Sequence, residues 1–392
     1  MSSESINIVC GGEVTFDLSL REFYYLGAWK LKRKSKSKRR PSNRLSRKIY
    51  RIWNAIKISR KIEPDFPELL MKDPMNIEKM EQNIYTSSCI RFEIDFKNNT
   101  EKYSYPFKKI SSFLKSKDLV LVDLENPLSN NPRAQGMHIA EPGFAQAMAD
   151  SGVGLVSLAN NHIFDAGENG FIETISCLNK AGILFVGAGD NIEKARMGTT
   201  LELNGITFNF LGYTQHCNNN FASIAGNNYP GILPLDRQLM VSDTKRASKK
   251  ADFVFLVLHW GIQNDPLVHP TAKEIAHMLI DNGADGIIGH GPHLPQAIEV
   301  YKSKPIIYST GNFIYGHNRE EWTDNYLAEI VIYQKRIKKV VIHPISAYRQ
   351  ELFQPELLEG ERATKFLEIL KSRSSIHNTV INIHDDIGEV YM

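Results

Sequence analysis

The sequence predicts a layered α and β protein, and three observations carry that expectation. Short β-rich apolar runs alternate with helical patterns of period 3.6 along most of the chain. Several of those runs are apolar at consecutive positions, as strands covered on both faces require. Two of the helical patterns stop at a glycine after an apolar stripe, the mark of a left-handed cap. Composition agrees, since 42% hydrophobic and 23% charged over 392 residues excludes global disorder.

In chain order, strands are expected at "INIVC" (6–10), "LVLVDL" (119–124), "VGLVSLA" (153–159), "LFVGAG" (184–189), "ITFNFLGY" (206–213), "FVFLVLHW" (253–260), "GIIGH" (286–290), "PIIYS" (305–309) and "LAEIVIY" (327–333). Helices are expected at "GFAQAMADSG" (143–152), "ENGFIETISCLNKAG" (168–182), "TAKEIAHMLIDNG" (271–283) and "EGERATKFLEILKSR" (359–373). No internal repeat is present. Residues 21 to about 100 break the rhythm and are expected to be an insertion after the first strand, within one domain spanning 1–392. Near its end, "CIRFEIDF" (89–96) alternates as one extra strand would.

Charge is distributed unevenly. From Lys30 to Ile62 there are 15 Lys and Arg and no acid, which leaves 32 basic against 44 acidic residues elsewhere. Within this block Ile49, Ile52, Trp53 and Ile56 recur at helical spacing among basic residues, a cationic amphipathic helix. No apolar run approaches the roughly 18 residues of a membrane span. The first strand begins at Ile6, too early for a secretory signal, so a cytoplasmic location is expected. Cys10, Cys89, Cys177 and Cys217 lack a CxxC spacing, which suits buried thiols in a reducing compartment.

The chemistry is concentrated where the strands end. "INIVCGGE" ends in Glu13, "VLVDLE" in Asp123 and Glu125, "VSLANNH" in Asn160, Asn161 and His162, "FLVLHW" in His259, and "IIGHGPH" in His290 and His293. Ligands in layered α and β folds bind beyond such carboxyl ends. Taken singly, each feature has an ordinary reading: turn asparagines, a satisfied core histidine, a glycine-rich loop. Together, carboxylate, amide oxygen and imidazole are the ligand set of hard-to-borderline divalent metals. His277 belongs to a helical stripe. His138, His216, His269, His317, His343, His377 and His384 fall in loops or the tail without evident partners, with His138 and His216 placed to border the cleft.

"LVDLENPLS", "SLANNHIFDAGENG", "LHWG", "GADGIIGHGPHLPQAIEVYKSKPIIYSTGNF" and "QPELLEGERATKFLEIL" resemble, in order, the motifs of the CapA family of capsule or poly-gamma-glutamate biosynthesis proteins. The resemblance spans roughly residues 5–20 and 103–392. It implies an α+β fold of the metallo-dependent phosphatase type, a four-layer α/β/β/α sandwich with a basic insertion after the first strand and a metal site between the sheets' loop ends. Carried over by motif, Glu125 would bridge two ions, Asn161, His259 and His290 would hold one, and Glu13 with His293 the other. Glu13 stands where the family has an aspartate, and Thr15 where a phosphoesterase usually offers a histidine, so the site of Glu13 and His293 is expected to be the weaker. The ligand mixture points to manganese, zinc or iron, one or two ions. His162 would protonate the leaving group, oriented by Asp165.

The implied function is that of a metal-dependent hydrolase acting on an amide or phosphoester bond in anionic-polymer biosynthesis. The alternative is a non-catalytic polymer-binding or assembly component of a polymer synthase complex. In either case residues 30–62 would attract a polyanion or an acidic membrane surface, placing the protein peripherally at the inner membrane.

Overall fold

The structure is a computed structural model describing residues 5–16, 89–92, 94–130, 138–215, 224–319 and 322–392. The basic block 30–62, its amphipathic stretch, most of the segment 21–100, His216 and Cys217 lie outside the described residues.

A nine-stranded sheet is built around β1 (Ile6–Thr15). On one side follow the parallel strands β3 (Leu119–Leu124), β4 (Val153–Ser157) and β5 (Leu184–Val186). On the other, β16 (Asn325–Tyr333), β17 (Arg336–Ile345), β19 (Ile387–Tyr391) and β18 (Asn382–His384) run antiparallel in turn. β14 (Asn312–Tyr315) pairs in parallel with the last residues of β1. The second sheet has six strands, with β10 (Phe253–His259) between the parallel strands β8 (Ile206–Thr214) and β11 (Gly286–His290). Beyond β11 come parallel β13 (Lys304–Ile307) and antiparallel β12 (Ile298–Tyr301), and β7 (Thr199–Leu203) forms the other edge. Two small ribbons complete the pairing, β2 (Cys89–Arg91) with β15 (His317–Arg319) and β6 (Ala188–Gly189) with β9 (Gly231–Ile232). The extra strand expected in "CIRFEIDF" is thus present, as three residues.

Alternation along each strand assigns the layers. Ile8, Leu119, Leu121 and Leu155 face Phe208, Phe210, Phe253, Phe255 and Val257 between the sheets. The opposite residues of the first sheet, Val9, Val120, Val122 and Val156, pack on helices that the chain supplies between strands. After the short α1 (Asn99–Ser104) and α2 (Ser111–Lys115), these are α3 (Gly143–Asp150), through Phe144 and Met148, and α4 (Gly167–Ala181), through Phe171 and Leu178. Beyond α5 (Ile192–Met197), the second sheet turns Val254, Leu256, Leu258 and Ile287 toward Met240 of α6 (Arg237–Ala247) and Ile275 and Leu279 of α7 (Pro270–Asp281). The order is therefore helices, sheet, sheet, helices, as the family resemblance implied. Burial of each large apolar side chain between the sheets contributes on the order of 2–3 kcal/mol. Phe366, Leu367 and Leu370 of α8 (Gly360–Ser375) add to the inter-sheet core.

Helix ends follow local chemistry. α4 stops because Gly182 adopts φ 74°, and α7 stops at Asn282 with Gly283 at φ 107° one residue on. α6 was not evident from its polar sequence; the side chain of Asp236 caps it by accepting from the Leu239 N–H at 2.8 Å.

His343 is a correction to the sequence reading. It lies within β17, not in a loop, and its Nε2 meets Glu329 Oε2 at 2.7 Å while Lys117 Nζ donates to Oε1 at 2.9 Å. Burial raises the Glu329 pKa, but these two bonds outweigh it and hold the carboxyl below its ordinary range. A carboxyl depressed in the folded state stabilises above its unfolded pKa of about 4.3 and loses that contribution as pH falls through the folded value. Urea unfolding of Glu329→Gln should therefore show a deficit of about 2 kcal/mol at pH 7 that shrinks below about pH 4.5; a deficit independent of pH would refute this assignment.

Candidate metal centre

The C-terminal ends of β1, β3, β4, β10 and β11 converge, and each delivers its polar residue to one buried centre. β1 approaches β14 so closely that a Cβ on Gly12 would stand 1.9 Å from the Gly311 carbonyl oxygen. Only glycine permits that approach, which lets the Glu13 N–H donate to Gly311 O at 3.1 Å and sets Glu13 level with Asp123 and Asn312. After β11, Gly291 at φ 115° and His293 at φ 60° turn the loop back over β1. The Gly291 N–H donates to Glu13 Oε1, His293 Nδ1 contacts Glu13 Oε2, and the same nitrogen lies 2.9 Å from Asn312 Oδ1.

Glu125 follows β3 directly. Tyr315 OH donates to its Oε2 at 2.7 Å. One ligand-capable atom from each of Glu13, Glu125 and His293 lies within 4.8 Å of the others, so a buried acidic and histidine group able to hold a cation is present among the described residues. His259 and His290 end adjacent parallel strands in register, and His259 Nδ1 meets Asp123 Oδ2 at 2.7 Å. His290 is fully buried at the end of β11, level with His259 on the neighbouring strand.

The two asparagines after β4 behave differently. Asn160 is fully engaged: its Nδ2 donates to Asp123 Oδ1 at 3.0 Å and Leu124 O at 2.8 Å, and its Oδ1 accepts from the N–H groups of His162 and Ile163. Asn161 keeps a buried Oδ1 with no hydrogen-bond partner. His162 Nδ1 lies 2.8 Å from Asp165 Oδ2.

Burial and mutual charge set the protonation states. Burial opposes ionisation of Glu13, yet the charge and hydrogen bond of His293 outweigh it and hold the carboxyl well below its ordinary range. His293 is held well above its ordinary value, with Glu13 and Glu125 overcoming burial. Burial and then the Glu13 charge push Glu125 up. Asp123 is pushed up to about 7, chiefly by burial. Burial lowers both His259 and His290. It also opposes charge on His162, but Asp165 and then Glu125 more than offset it, so that pKa is raised.

Of the residues carried over by motif, Glu13, Glu125 and His293 form one buried group, His259 and His290 end adjacent strands in register with His259 on Asp123, His162 pairs with Asp165, and Asn161 follows Asn160, which bonds to Asp123. Tyr315, Asn312 and the main chain of Gly291 were not anticipated, since a phenol, an amide and an N–H several strands away carry no local signal. His138 borders the centre as expected, with its N–H donating to Asp165 Oδ2 at 3.2 Å and its ring 4.6 Å from that of His162. His317 corrects the loop reading: it lies in β15, buried among the rings of Tyr315, Trp322 and His138. Thr15 is buried at the end of β1.

Residues 73–317 match the family model described as "Bacterial capsule synthesis protein PGA_cap". The match starts inside the segment expected to be an insertion and ends before the terminal "QPELLEGERATKFLEIL". Over 243 residues the chain is 32% identical to the capsule biosynthesis protein CapA of Bacillus anthracis, covering 59% of this chain and 58% of that protein. It is 29% identical over 248 residues to the PGA biosynthesis protein CapA of Bacillus subtilis (strain 168), covering 62% and 65%. The matched region thus spans less than two thirds of either relative's length. Among solved structures, the sulfate thiohydrolase SoxB of Thermus thermophilus is similar over 70% of this chain and 46% of that chain, at 14% identity and a TM-score of 0.38. On the extent of the model match, this chain belongs to the family of bacterial capsule synthesis proteins PGA_cap.

Proposed function

We propose that the chain is a metal-dependent hydrolase of capsule or poly-gamma-glutamate biosynthesis, acting on an amide or phosphoester bond. One observation carries this reading. Beside the buried group of Glu13, Glu125 and His293, Glu125 Oε1, Asn161 Oδ1 and both ring nitrogens of His290 are buried without a hydrogen-bond partner. Leaving such groups unpaired costs about 1–3 kcal/mol each, so a cluster of them argues for a ligand. Carboxylate, amide oxygen and imidazole suit manganese, zinc or iron. Glu13 and His293 would hold one ion, Asn161, His259 and His290 another, and Glu125 would serve both.

A divalent ion there would supply Lewis acidity and acidify a bound water. The chain's own residues do the rest. Asp165 holds His162 by Nδ1 and favours its charged form, so the ring's Nε2 can deliver a proton to a leaving group. Tyr315 fixes one oxygen of Glu125 and leaves the other for the ion.

A second reading is a non-catalytic polymer-binding component of a synthesis complex, favoured by the names of both relatives, which describe biosynthesis. Under either reading, the 15 cations of residues 30–62 would draw an anionic polymer or an acidic inner-membrane surface to the protein. Among the described residues no helix is long and apolar enough to cross a membrane.

Elemental analysis of the purified full chain, followed by assay with bis(p-nitrophenyl) phosphate and with poly-gamma-glutamate, separates these readings. Bound metal with turnover supports the hydrolase, and metal without turnover supports the binding role. A chain that retains no Mn²⁺ or Zn²⁺ after equilibration excludes the metal centre. Chelation of the loaded protein should lower its unfolding free energy by about 3 kcal/mol where free metal had stood at 100 times its Kd, read as a fall in thermal midpoint.

A further inference from the structure

Asp123 lies at the end of β3, fully buried, and its two oxygens face two different groups. Oδ1 is 3.0 Å from Asn160 Nδ2, and Oδ2 is 2.7 Å from His259 Nδ1. The orientation of the Asn160 amide is settled by the backbone. Its Oδ1 accepts from His162 N–H at 3.1 Å and Ile163 N–H at 3.0 Å, while its Nδ2 also donates to Leu124 O at 2.8 Å. A flipped amide would set its NH₂ against two N–H donors and its oxygen against a carbonyl. A donor therefore points at Asp123 Oδ1, and the carboxylate accepts there. Where Asp123 is ionised its other oxygen accepts as well, and the His259 ring then carries its proton on Nδ1 and its lone pair on Nε2.

We infer that Asp123 is a positioning residue that fixes the ring and tautomer of His259 so that Nε2 is the nitrogen offered to a divalent cation. This rests on the metal-centre reading above. The same carboxylate ties down Asn160 and with it the loop that carries Asn161 and His162, so one side chain sets β3, β10 and the loop after β4 in a common frame. Asparagine at 123 cannot do this. Its single carbonyl oxygen can face Asn160 or His259, and the group it does not face meets an NH₂ instead. Outer partners of this kind typically change metal affinity 10- to 100-fold.

Two measurements on the full chain test the inference. Long-range ¹H–¹⁵N spectra of metal-free protein labelled at histidine, recorded at alkaline pH for the unaltered chain and for D123N, with the His259 signals identified by their loss in His259→Gln, should show the Nδ1–H tautomer in the unaltered chain and its loss in D123N. Titration with Mn²⁺ should show D123N binding about 10- to 100-fold more weakly than the unaltered chain. Equal Mn²⁺ affinity in D123N overturns the inference. An Nε2–H tautomer in the unaltered chain overturns the inference even where D123N does not fold. A merely structural role for Asp123 would lower the thermal midpoint of D123N and leave the His259 tautomer unchanged. Absence of Mn²⁺ and Zn²⁺ binding by the unaltered chain would instead sink the metal-centre reading, a result distinct from the tautomer, which is read without metal.

Discussion

Replacing His162 by alanine is expected to reduce turnover about 10²- to 10⁴-fold while bound metal and thermal midpoint stay near wild-type values. The side chain is 19% exposed and is held at Nδ1 by Asp165 rather than by the core, so its loss leaves little unfilled. The acidic and histidine group is built from other strand ends, so the ion should remain. The pH profile supplies a second check. Asp165 raises the His162 pKa, and the protonated form is the one a leaving group needs. The rate should therefore hold below that raised value and fall as pH rises through it. Asp165→Asn should bring this alkaline limb to lower pH, toward the ordinary imidazole value of about 6.5. Undiminished turnover in His162→Ala would remove the residue from the mechanism, and an unmoved limb in Asp165→Asn would remove the partner.

Gly12→Ala should be the most damaging of the small substitutions near the centre. Its backbone conformation is ordinary for any residue, and the difficulty is space alone: the new Cβ would meet Gly311 O at 1.9 Å, Gly311 C at 2.7 Å and Asn312 C at 2.9 Å. All three are main-chain atoms at the entry to β14, so no side-chain rotation relieves the clash. β1 and β14 must separate, which breaks the Glu13 N–H to Gly311 O bond and moves Glu13 away from His293. A loss of about 3 kcal/mol in urea unfolding is expected, at the upper end for overpacking, together with loss of metal retention. Wild-type stability and metal content in this variant would show that the close approach of the two strands does not support the site.

Much of the fold is legible in the sequence because its central strands are covered on both faces. The runs at 119–124, 253–260 and 286–290 read as strands for that reason, and the structure places β3, β10 and β11 there. The antiparallel edge was less visible. β17 reads "RIKKVVIHPI", with charged residues among apolar ones, and it pairs with β16 through a turn in which Gln334 and Lys335 take φ 51° and 54°. The same is true of the turn between β12 and β13, where Lys302 and Ser303 take φ 50° and 57°. Both are left-handed positions that usually announce themselves by asparagine or glycine, and here they do not.

The sequence by itself determined which residue types stand at the strand ends, because a carboxylate, amide or imidazole following a buried strand is a local pattern. Only the tertiary structure decided how they divide the work. Asn160 and Asn161 are indistinguishable as letters, yet one is spent on two backbone N–H groups, Asp123 and Leu124 O, and the other keeps a buried oxygen unpaired. Asp123 likewise reads only as one of the polar residues at a strand end, with no role of its own, until His259, 136 positions away, is laid against it. Hydrogen bonds are directional and reach only about 3 Å, so the role of each polar side chain follows from register and strand order, which no short stretch of sequence contains.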